Sequence, residues 1–279
     1  MLITLHGNTV QHSNVLTDVH IASMTGYQGI EIHSGKLLRY LINGGSAAQL
    51  KAVLDQHEIY PAAIDIIGDV EVQEPQRRRE ILDLSRYLCG IAAEIGCPTI
   101  QLNAFNALDH LSWNQLLRET ADNIAEIADI GKEYGIRFQY EGAAWTRICS
   151  LSDCLKLLES VDRPNVGLLV DYWHFWAQGD TTPEQLSRIP AELIYGVHIC
   201  DGTRTDNAED LKYENEYRGY FPGEGELPVD LWTDAVISTG YDGIVSGEIM
   251  SDRLWEYDNI EMARNMCVKL KEYTSATHA

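Results

Sequence analysis

The segment TGYQGIEI at residues 25–32 returns almost unchanged as TGYDGIVS at residues 239–246. In both copies a glycine stands where a helical pattern ends, and a short apolar run typical of a buried strand follows it. Gly96 and Gly135 occupy the same position at two further junctions between helix and strand. A unit that recurs in this way predicts a fold built from repeated modules of strand and helix.

Eight runs along the chain have the composition of β-strands. They cover residues 2–7, 29–34, 60–68, 98–105, 136–142, 166–174, 194–202 and 243–250. Most are nearly continuous apolar stretches, which is the pattern of a parallel sheet covered on both faces. Helical patterns lie between them, as in residues 81–96, where apolar side chains recur every three or four positions. The sequence therefore predicts an α/β fold, a (β/α)8 TIM barrel that forms one domain over residues 1–279.

An open, doubly wound sheet is the alternative arrangement for such a chain. Its nucleotide-binding form carries a glycine-rich phosphate loop after the first strand. Residues 6–14, HGNTVQHSN, do not have that pattern, and no stretch rich in proline and glycine divides the chain. The barrel is therefore the preferred prediction.

The chain carries 42 acidic and 21 basic residues, a net charge of −21. Such a surface repels polyanions, so we expect neither nucleic acid nor an anionic membrane as a partner. No apolar stretch is long enough to span a membrane, and the first residues lack a signal-peptide pattern. The six cysteines form no CxxC pair and are expected to be reduced and mostly buried, which fits a cytoplasmic protein.

The C-terminal ends of the strands are where a barrel of this kind collects its functional side chains. The last four strands each deliver a side chain able to bind a metal, namely Glu141, Asp171, His198 and Glu248. Three carboxylates that crowd one site raise one another's pKa unless a cation neutralises them. One imidazole with three carboxylates suits Mn²⁺, Mg²⁺ or Co²⁺, and zinc can also occupy such a set. The alternative, that each is a structural residue at a strand end, stays open at this point.

Five segments in the second half of the chain resemble a known family. They are FQYEG (138–142), NVGLLVDYWHFWAQGD (165–180), YGVHICDGT (195–203), RGYFPGEGELPV (218–229) and TGYDGIVSGEI (239–249). In this order they are similar to the xylose isomerase-like TIM barrel superfamily, and most similar to its 2-keto-myo-inositol isomerase and ketose 3-epimerase branch. The resemblance is dense from about residue 130 to 250 and loose before that.

The resemblance implies that Glu141, Asp171, His198 and Glu248 bind one divalent metal ion, with Mn²⁺ the preferred choice and Mg²⁺, Co²⁺ or Zn²⁺ as alternatives. It also implies an isomerase or epimerase that acts on a keto-sugar or a keto-cyclitol (inosose). Glu141 and Glu248 would be the acid/base pair that moves a proton beside the carbonyl, through an enediolate that the metal stabilises.

Substrate contacts are implied for a further set of residues. His174, three residues after Asp171, would act on the substrate or on its metal-bound oxygens. Arg204 would hold substrate oxygens, and Arg218 is the alternative for that role. Aromatic rings suit the C–H faces of sugars, and the loops near the metal supply Trp145, Trp173 and Trp176, with Tyr172, Tyr220 and Phe221 beside them.

The first four strands end in polar side chains whose roles are less marked. His6 and Asn103 are candidates for the floor of the substrate pocket, against the structural alternative that each bonds inside the fold. Glu31 is expected to bond neighbouring backbone, and His33 and Asp65 are further strand-end residues.

Three other functions compete with the isomerase. A dehydratase or lyase of the same superfamily would share the first step, acting on an inosose, on 3-dehydroshikimate or on a keto-glycoside. An apurinic endonuclease is disfavoured by the net charge and by the loop after His198, which lacks an Asp-x-His pair. A barrel that only binds is disfavoured because all four metal-ligand positions are filled. Barrels of this kind often pair, so a homo-oligomer is a further expectation.

Overall fold

The computed structural model describes residues 1–275, in which eight parallel strands close into a barrel in sequence order. The strands are β1 (Leu2–His6), β2 (Gly29–His33), β3 (Tyr60–Ile67), β4 (Thr99–Asn103), β5 (Arg137–Glu141), β6 (Val166–Asp171), β7 (Ile194–Ile199) and β8 (Ile244–Gly247). β8 pairs with β1 and completes the ring. All eight predicted strands are confirmed, each somewhat shorter than its apolar run. The last four residues of the predicted domain, 276–279, lie outside the described residues.

Helices follow the strands and cover the outside of the barrel. They are α1 (Val15–Thr25), α2 (Ser34–Ile42), α3 (Ala47–Gln56), α4 (Pro75–Ile95), α5 (Trp113–Tyr134), α6 (Leu151–Val161), α7 (Tyr172–Gln178), α8 (Pro183–Leu186), α9 (Glu214–Tyr217), α10 (Val229–Ser238), α11 (Asp252–Trp255) and α12 (Asn259–Ser275). None of the described helices is long and apolar enough to cross a membrane. The repeated glycines mark helix ends as predicted, with a φ of 87° at Gly26 and 85° at Gly240 that favours glycine.

The inside of the barrel is polar, which the apolar runs did not predict. Glu31 on β2 accepts a hydrogen bond from Gln139 on β5 and contacts His198 on β7. These strands are not neighbours, so the contacts cross the lumen of the barrel. Alternate residues of each strand point outward beneath the helices and supply the apolar core, as Ile3 and Leu5 do. At the level of Glu31 the strands therefore direct polar side chains inward and apolar side chains outward, while Ala63 and Ile244 belong to a small separate apolar cluster.

The six cysteines are all free and buried, as expected. Burial raises the pKa of the Cys89 and Cys97 thiols to about 12, so both are uncharged at neutral pH.

Candidate active site

Four side chains from the ends of β5 to β8 meet at one point, and they are the four predicted metal ligands. One ligand atom from each of Glu141, Asp171, His198 and Glu248 lies within 4.8 Å of all the others. His198 Nδ1 is 3.3 Å from Glu141 Oε1, 3.8 Å from Asp171 Oδ2 and 3.0 Å from Glu248 Oε2. All four residues are buried. The site lies at the C-terminal end of the barrel because each of these residues is the last residue of its strand or is adjacent to the last residue.

Glu141 is held through the oxygen that faces away from His198. Its Oε2 accepts hydrogen bonds from Gln101 Nε2 at 2.9 Å and from Asn103 Nδ2 at 3.0 Å. The two amides lie two residues apart on β4, so they share one face of that strand. Asn103 was predicted to contact substrate, and here it also fixes the Glu141 carboxylate, leaving Oε1 directed at the other ligand atoms.

Asp171 and Glu248 are oriented in the same manner, each with one oxygen anchored and one directed inward. Asp171 Oδ1 accepts the backbone N–H of His174 at 2.8 Å, which caps the N-terminus of α7. Glu248 Oε1 accepts Asn8 Nδ2–H at 2.9 Å. Three carboxylates therefore each present a single oxygen to one point.

His198 is fixed by Glu31 from the inside of the barrel. Glu31 Oε2 lies 3.1 Å from His198 Nε2 and accepts a hydrogen bond from Ser246 Oγ at 2.6 Å, while Oε1 accepts one from Gln139. A carboxylate on the far nitrogen of a histidine orients the ring and leaves the near nitrogen free to bind a metal. The expectation that Glu31 bonds neighbouring backbone is wrong, because its side chain points into the lumen and meets side chains from three other strands.

The residues of the site fit a divalent cation. Glu141 Oε1 and His198 Nδ1 are buried without a hydrogen-bonding partner among the described residues, and they face each other. Burial raises the pKa of Asp171 to about 6, with Arg218 opposing the rise and Glu141 adding to it. The site therefore offers three oxygens and one nitrogen, and two of these atoms have no hydrogen-bonding partner. A bound cation would give those two atoms a partner and would favour the ionised form of Asp171.

Arg218 contacts two of the four predicted ligands and is almost wholly buried. Its Nη2 donates to Asp171 Oδ2 at 2.6 Å and to Glu248 Oε2 at 2.9 Å. Its Nη1 donates to Glu214 Oε2 at 2.6 Å and lies 3.0 Å from His174 Nε2. Burial opposes ionisation of Glu248, but Arg218 and the nearby histidines outweigh it and hold the pKa of Glu248 well below its ordinary value.

The two candidate arginines differ in position. Arg204 is exposed, stacks over the Trp176 ring at 4.4 Å and donates to the Trp176 carbonyl oxygen at 3.1 Å. It therefore lies outside the site, and Arg218 is the arginine that the fold brings to it. The reason is the long connection after β7. This connection leaves the site at Arg204 and comes back to the site at Arg218.

A cavity of about 150 Å³ opens above the ligands. Of the predicted site residues, its wall contains Asn103, Glu141, Trp145, His174, Arg218 and Glu248. His174 is buried between Trp145 and Trp173, whose rings meet it edge-on at 5.4 and 5.3 Å. Burial, reinforced by Arg218, holds the pKa of His174 well below its ordinary value, so the ring is neutral. His33 and Asp65 also line the cavity.

Besides Arg204, three residues predicted to contact substrate are not part of that wall. Trp173 is fully buried and Trp176 nearly so, because residues 172–178 form helix α7, not a loop, and turn both rings into the protein. His6 lies beneath the cavity, where its Nδ1 accepts the backbone N–H of Asn8 at 3.1 Å. Burial lowers the pKa of His6 to about 4, so this ring is also neutral. In this structure the three side chains pack beside and beneath the cavity, and their contact with substrate stays a prediction.

Asp201 organises the connection between β7 and α10. Its Oδ1 accepts the backbone N–H groups of Gly202 at 2.7 Å and Leu227 at 3.0 Å, and its Oδ2 accepts those of Gly223 and Gly225, both at 2.9 Å. One carboxylate thus ties both ends of the segment that contains Arg218. We call residues 202–227 the β7–α10 loop.

Sequence reasoning did not single out Asn8, Gln101 and Glu214, which all line the cavity. Asn8 follows His6 by two residues, and Gln101 precedes Asn103 by two. That spacing could have indicated Gln101, because residues two apart in a strand share a face. Glu214 lies in the β7–α10 loop, where no periodic pattern exists.

Comparison with known proteins gives the same result for the fold. The profile of the xylose isomerase-like TIM barrel family matches residues 19–270. An inosose isomerase of Bacillus velezensis is 23% identical over 86% of this chain and 85% of its own length. A 3-dehydroshikimate dehydratase of Pseudomonas putida is 26% identical over 88% of this chain and 37% of its own length. A solved structure of IolI protein with a bound zinc atom has a TM-score of 0.89 at 20% identity, over 99% of this chain and 98% of that one.

Proposed function

The chain belongs to the xylose isomerase-like TIM barrel family, and from that premise we propose that it is a divalent-metal-dependent isomerase or epimerase of a keto-sugar or keto-cyclitol. The observation that carries the proposal is the convergence of three carboxylate oxygens and one imidazole nitrogen beneath a small polar cavity. The similarity to an inosose isomerase supports an inosose or related ketone as substrate.

We propose that Glu141, Asp171, His198 and Glu248 hold the metal. A bound divalent ion would polarise the substrate carbonyl and lower the pKa of the C–H beside it. The oxygen-rich set favours Mn²⁺, with Mg²⁺ and Co²⁺ next. Zinc stays an alternative, which the zinc atom in the similar solved structure supports.

The proton is moved by the two glutamates that line the cavity. Glu141 and Glu248 both approach His198 Nδ1, at 3.3 and 3.0 Å, and each has an oxygen anchored by amide donors. An anchored carboxylate stays aimed at the carbon from which it takes a proton, and the second can return the proton to another carbon or another face. The neutral His174 would orient the substrate hydroxyl groups, and the Arg218 guanidinium would hold the Asp171 and Glu248 carboxylates in place.

A dehydratase is the second candidate, favoured by the 26% identity to a 3-dehydroshikimate dehydratase. It would begin with the same proton removal and then lose a β-hydroxyl group as water. The product of that loss is a conjugated enone, whose ultraviolet absorbance distinguishes elimination from isomerisation.

The test is a deuterium-exchange screen followed by NMR. The protein with Mn²⁺ is mixed in heavy water with a panel of ketoses, inososes and keto-glycosides. We expect deuterium to enter the carbon beside the carbonyl of one class, and the exchange to cease after chelation and in the Glu141→Gln variant. Exchange that continues at the same rate in chelated protein, or no exchange with any ketone of the panel, would overturn the proposal.

A further inference from the structure

Three of the four Nη hydrogens of Arg218 are donated to carboxylates of the protein. The acceptors are Asp171, Glu248 and Glu214, and Nη1 also lies 3.0 Å from His174 Nε2. Only Nε remains without a hydrogen-bonding partner, and that atom is buried. A buried guanidinium paired with three carboxylates is satisfied and has little attraction left for a further anion.

Glu214 is the partner that comes from outside the barrel. It is the first residue of α9, in the middle of the β7–α10 loop, and its side chain is 15% exposed. Its Oε2 lies 2.6 Å from Arg218 Nη1 and 3.7 Å from His174 Nε2, on the wall of the cavity. The Glu214 carboxylate therefore occupies the side of Arg218 on which a substrate carboxylate would otherwise form an ion pair.

The charges around the cavity also disfavour an anionic ligand. Arg218 is the one Lys or Arg side chain on the cavity wall within the described part of the chain. A divalent ion and Arg218 together would supply three positive charges, and the three predicted metal-binding carboxylates together with the buried Glu31 carboxylate already exceed them. An ionised Glu214 carboxylate adds a further negative charge on the cavity wall, where it would repel an anionic ligand.

We propose that Glu214, in its ionised form, is a specificity-determining residue that bars carboxylate-bearing substrates and selects uncharged polyhydroxy ketones. The inference rests on the proposed function and deepens it by naming the substrate class. It favours a neutral ketose or inosose over a carboxylate such as 3-dehydroshikimate. Discrimination of this kind comes from a repulsive element as much as from attractive contacts.

The experiment measures binding of two non-reacting probes by calorimetry, with Mg²⁺ present. Both probes are cyclohexane polyols, myo-inositol without charge and quinate with a carboxylate. Burial raises the pKa of Glu214 to about 8, against the opposing effect of Arg218, so the titrations are made at about pH 9, where Glu214 is ionised. The variants are Glu214→Ala, Glu214→Gln, which keeps the side-chain volume, and Glu216→Ala as the control. Glu216 is exposed on the same helix and tests the effect of net charge alone.

We expect the native protein to bind quinate at least about tenfold more weakly than myo-inositol, a factor typical of one hydrogen bond to a charged group. Both Glu214 variants should raise quinate affinity by about the same factor and leave myo-inositol affinity nearly unchanged, whereas Glu216→Ala should leave the ratio as it is. Equal affinities in the native protein, or equal shifts in the Glu214 and Glu216 variants, would overturn the inference. The ratio of the two affinities is measured without turnover. A ratio that contradicts the inference is therefore a different result from the absence of deuterium exchange, which would overturn the proposed function.

Discussion

Replacement of Asp201 by Asn should open the β7–α10 loop without removing a metal ligand. The Asp201 carboxylate accepts four backbone N–H groups, two on each oxygen, at 2.7 to 3.0 Å. Asn keeps one oxygen and replaces the other with an NH₂ group, which donates and cannot accept. In either orientation of the amide, two hydrogen bonds are lost and two N–H groups face another donor.

The size of the effect follows from the number of bonds. A hydrogen bond to a charged acceptor contributes about 1.5–3 kcal/mol, so the loss of two costs the closed loop roughly 3–6 kcal/mol. The two hydrogen bonds are lost only in the β7–α10 loop. Local opening of this loop then costs less free energy than unfolding of the whole protein. Because Arg218 and Glu214 lie in this loop, we expect kcat/KM on a substrate found by the exchange screen to fall at least about tenfold.

Two assays together test this reasoning. Hydrogen exchange followed by mass spectrometry should show faster exchange in residues 202–227 of the Asp201→Asn variant, with the strands unchanged. Mn²⁺ affinity should change much less than kcat/KM, because the four proposed ligands come from β5 to β8. The control is Asp206→Asn, an exposed aspartate of the same loop. An Asp201→Asn variant that keeps native exchange rates and native kcat/KM would refute the role assigned to Asp201.

Three further predictions follow from the site. His198 has its pKa held well above the ordinary value because Glu31 and Glu248 outweigh its burial, so its ring is protonated at pH 7. Mn²⁺ needs the neutral ring, so calorimetry in buffers of different ionisation enthalpy should detect proton release. The affinity for Mn²⁺ should fall by up to about tenfold for each pH unit by which the pH is lowered. Glu31→Gln should weaken Mn²⁺ binding by about 10- to 100-fold, and unchanged affinity would contradict the role of Glu31 in orienting His198. Gly225→Ala should lower the melting temperature, because a Cβ there collides with the Asp201 carboxylate, whereas Gly90→Ala, where the nearest atom is 3.8 Å away, should not.

The barrel and the meeting of four ligands could be predicted because each signal is local. A glycine ends a helix, an apolar run forms the strand that follows, and a polar residue ends that strand. Once the barrel is inferred, Glu141, Asp171, His198 and Glu248 meet as a matter of topology. No distance information is needed for that step.

Contacts across the barrel could not be predicted in the same way. The pairing of Glu31 with His198 depends on the stagger of strands that are far apart in the chain. A shift of one residue in the register of either strand would turn its side chain to the other face. The sequence predicts a loop for Trp173 and Trp176, whereas both residues lie in a short helix that turns their rings inward. The resemblance favours Arg204 with Arg218 as the alternative, whereas the course of the β7–α10 loop brings Arg218 to the site.

The polar lumen has an evolutionary consequence. Glu31 is satisfied by side chains from β5, β7 and β8, so a change in any one of them leaves a buried charge without a partner. Descendants of this chain can therefore change the residues of the lumen only in coordinated sets. The β7–α10 loop is held at its two ends by hydrogen bonds to Asp201, so the residues between those ends can vary. New substrates would be acquired by exchanging the residues that this loop presents, as at Glu214, while the shared proton chemistry below is inherited intact.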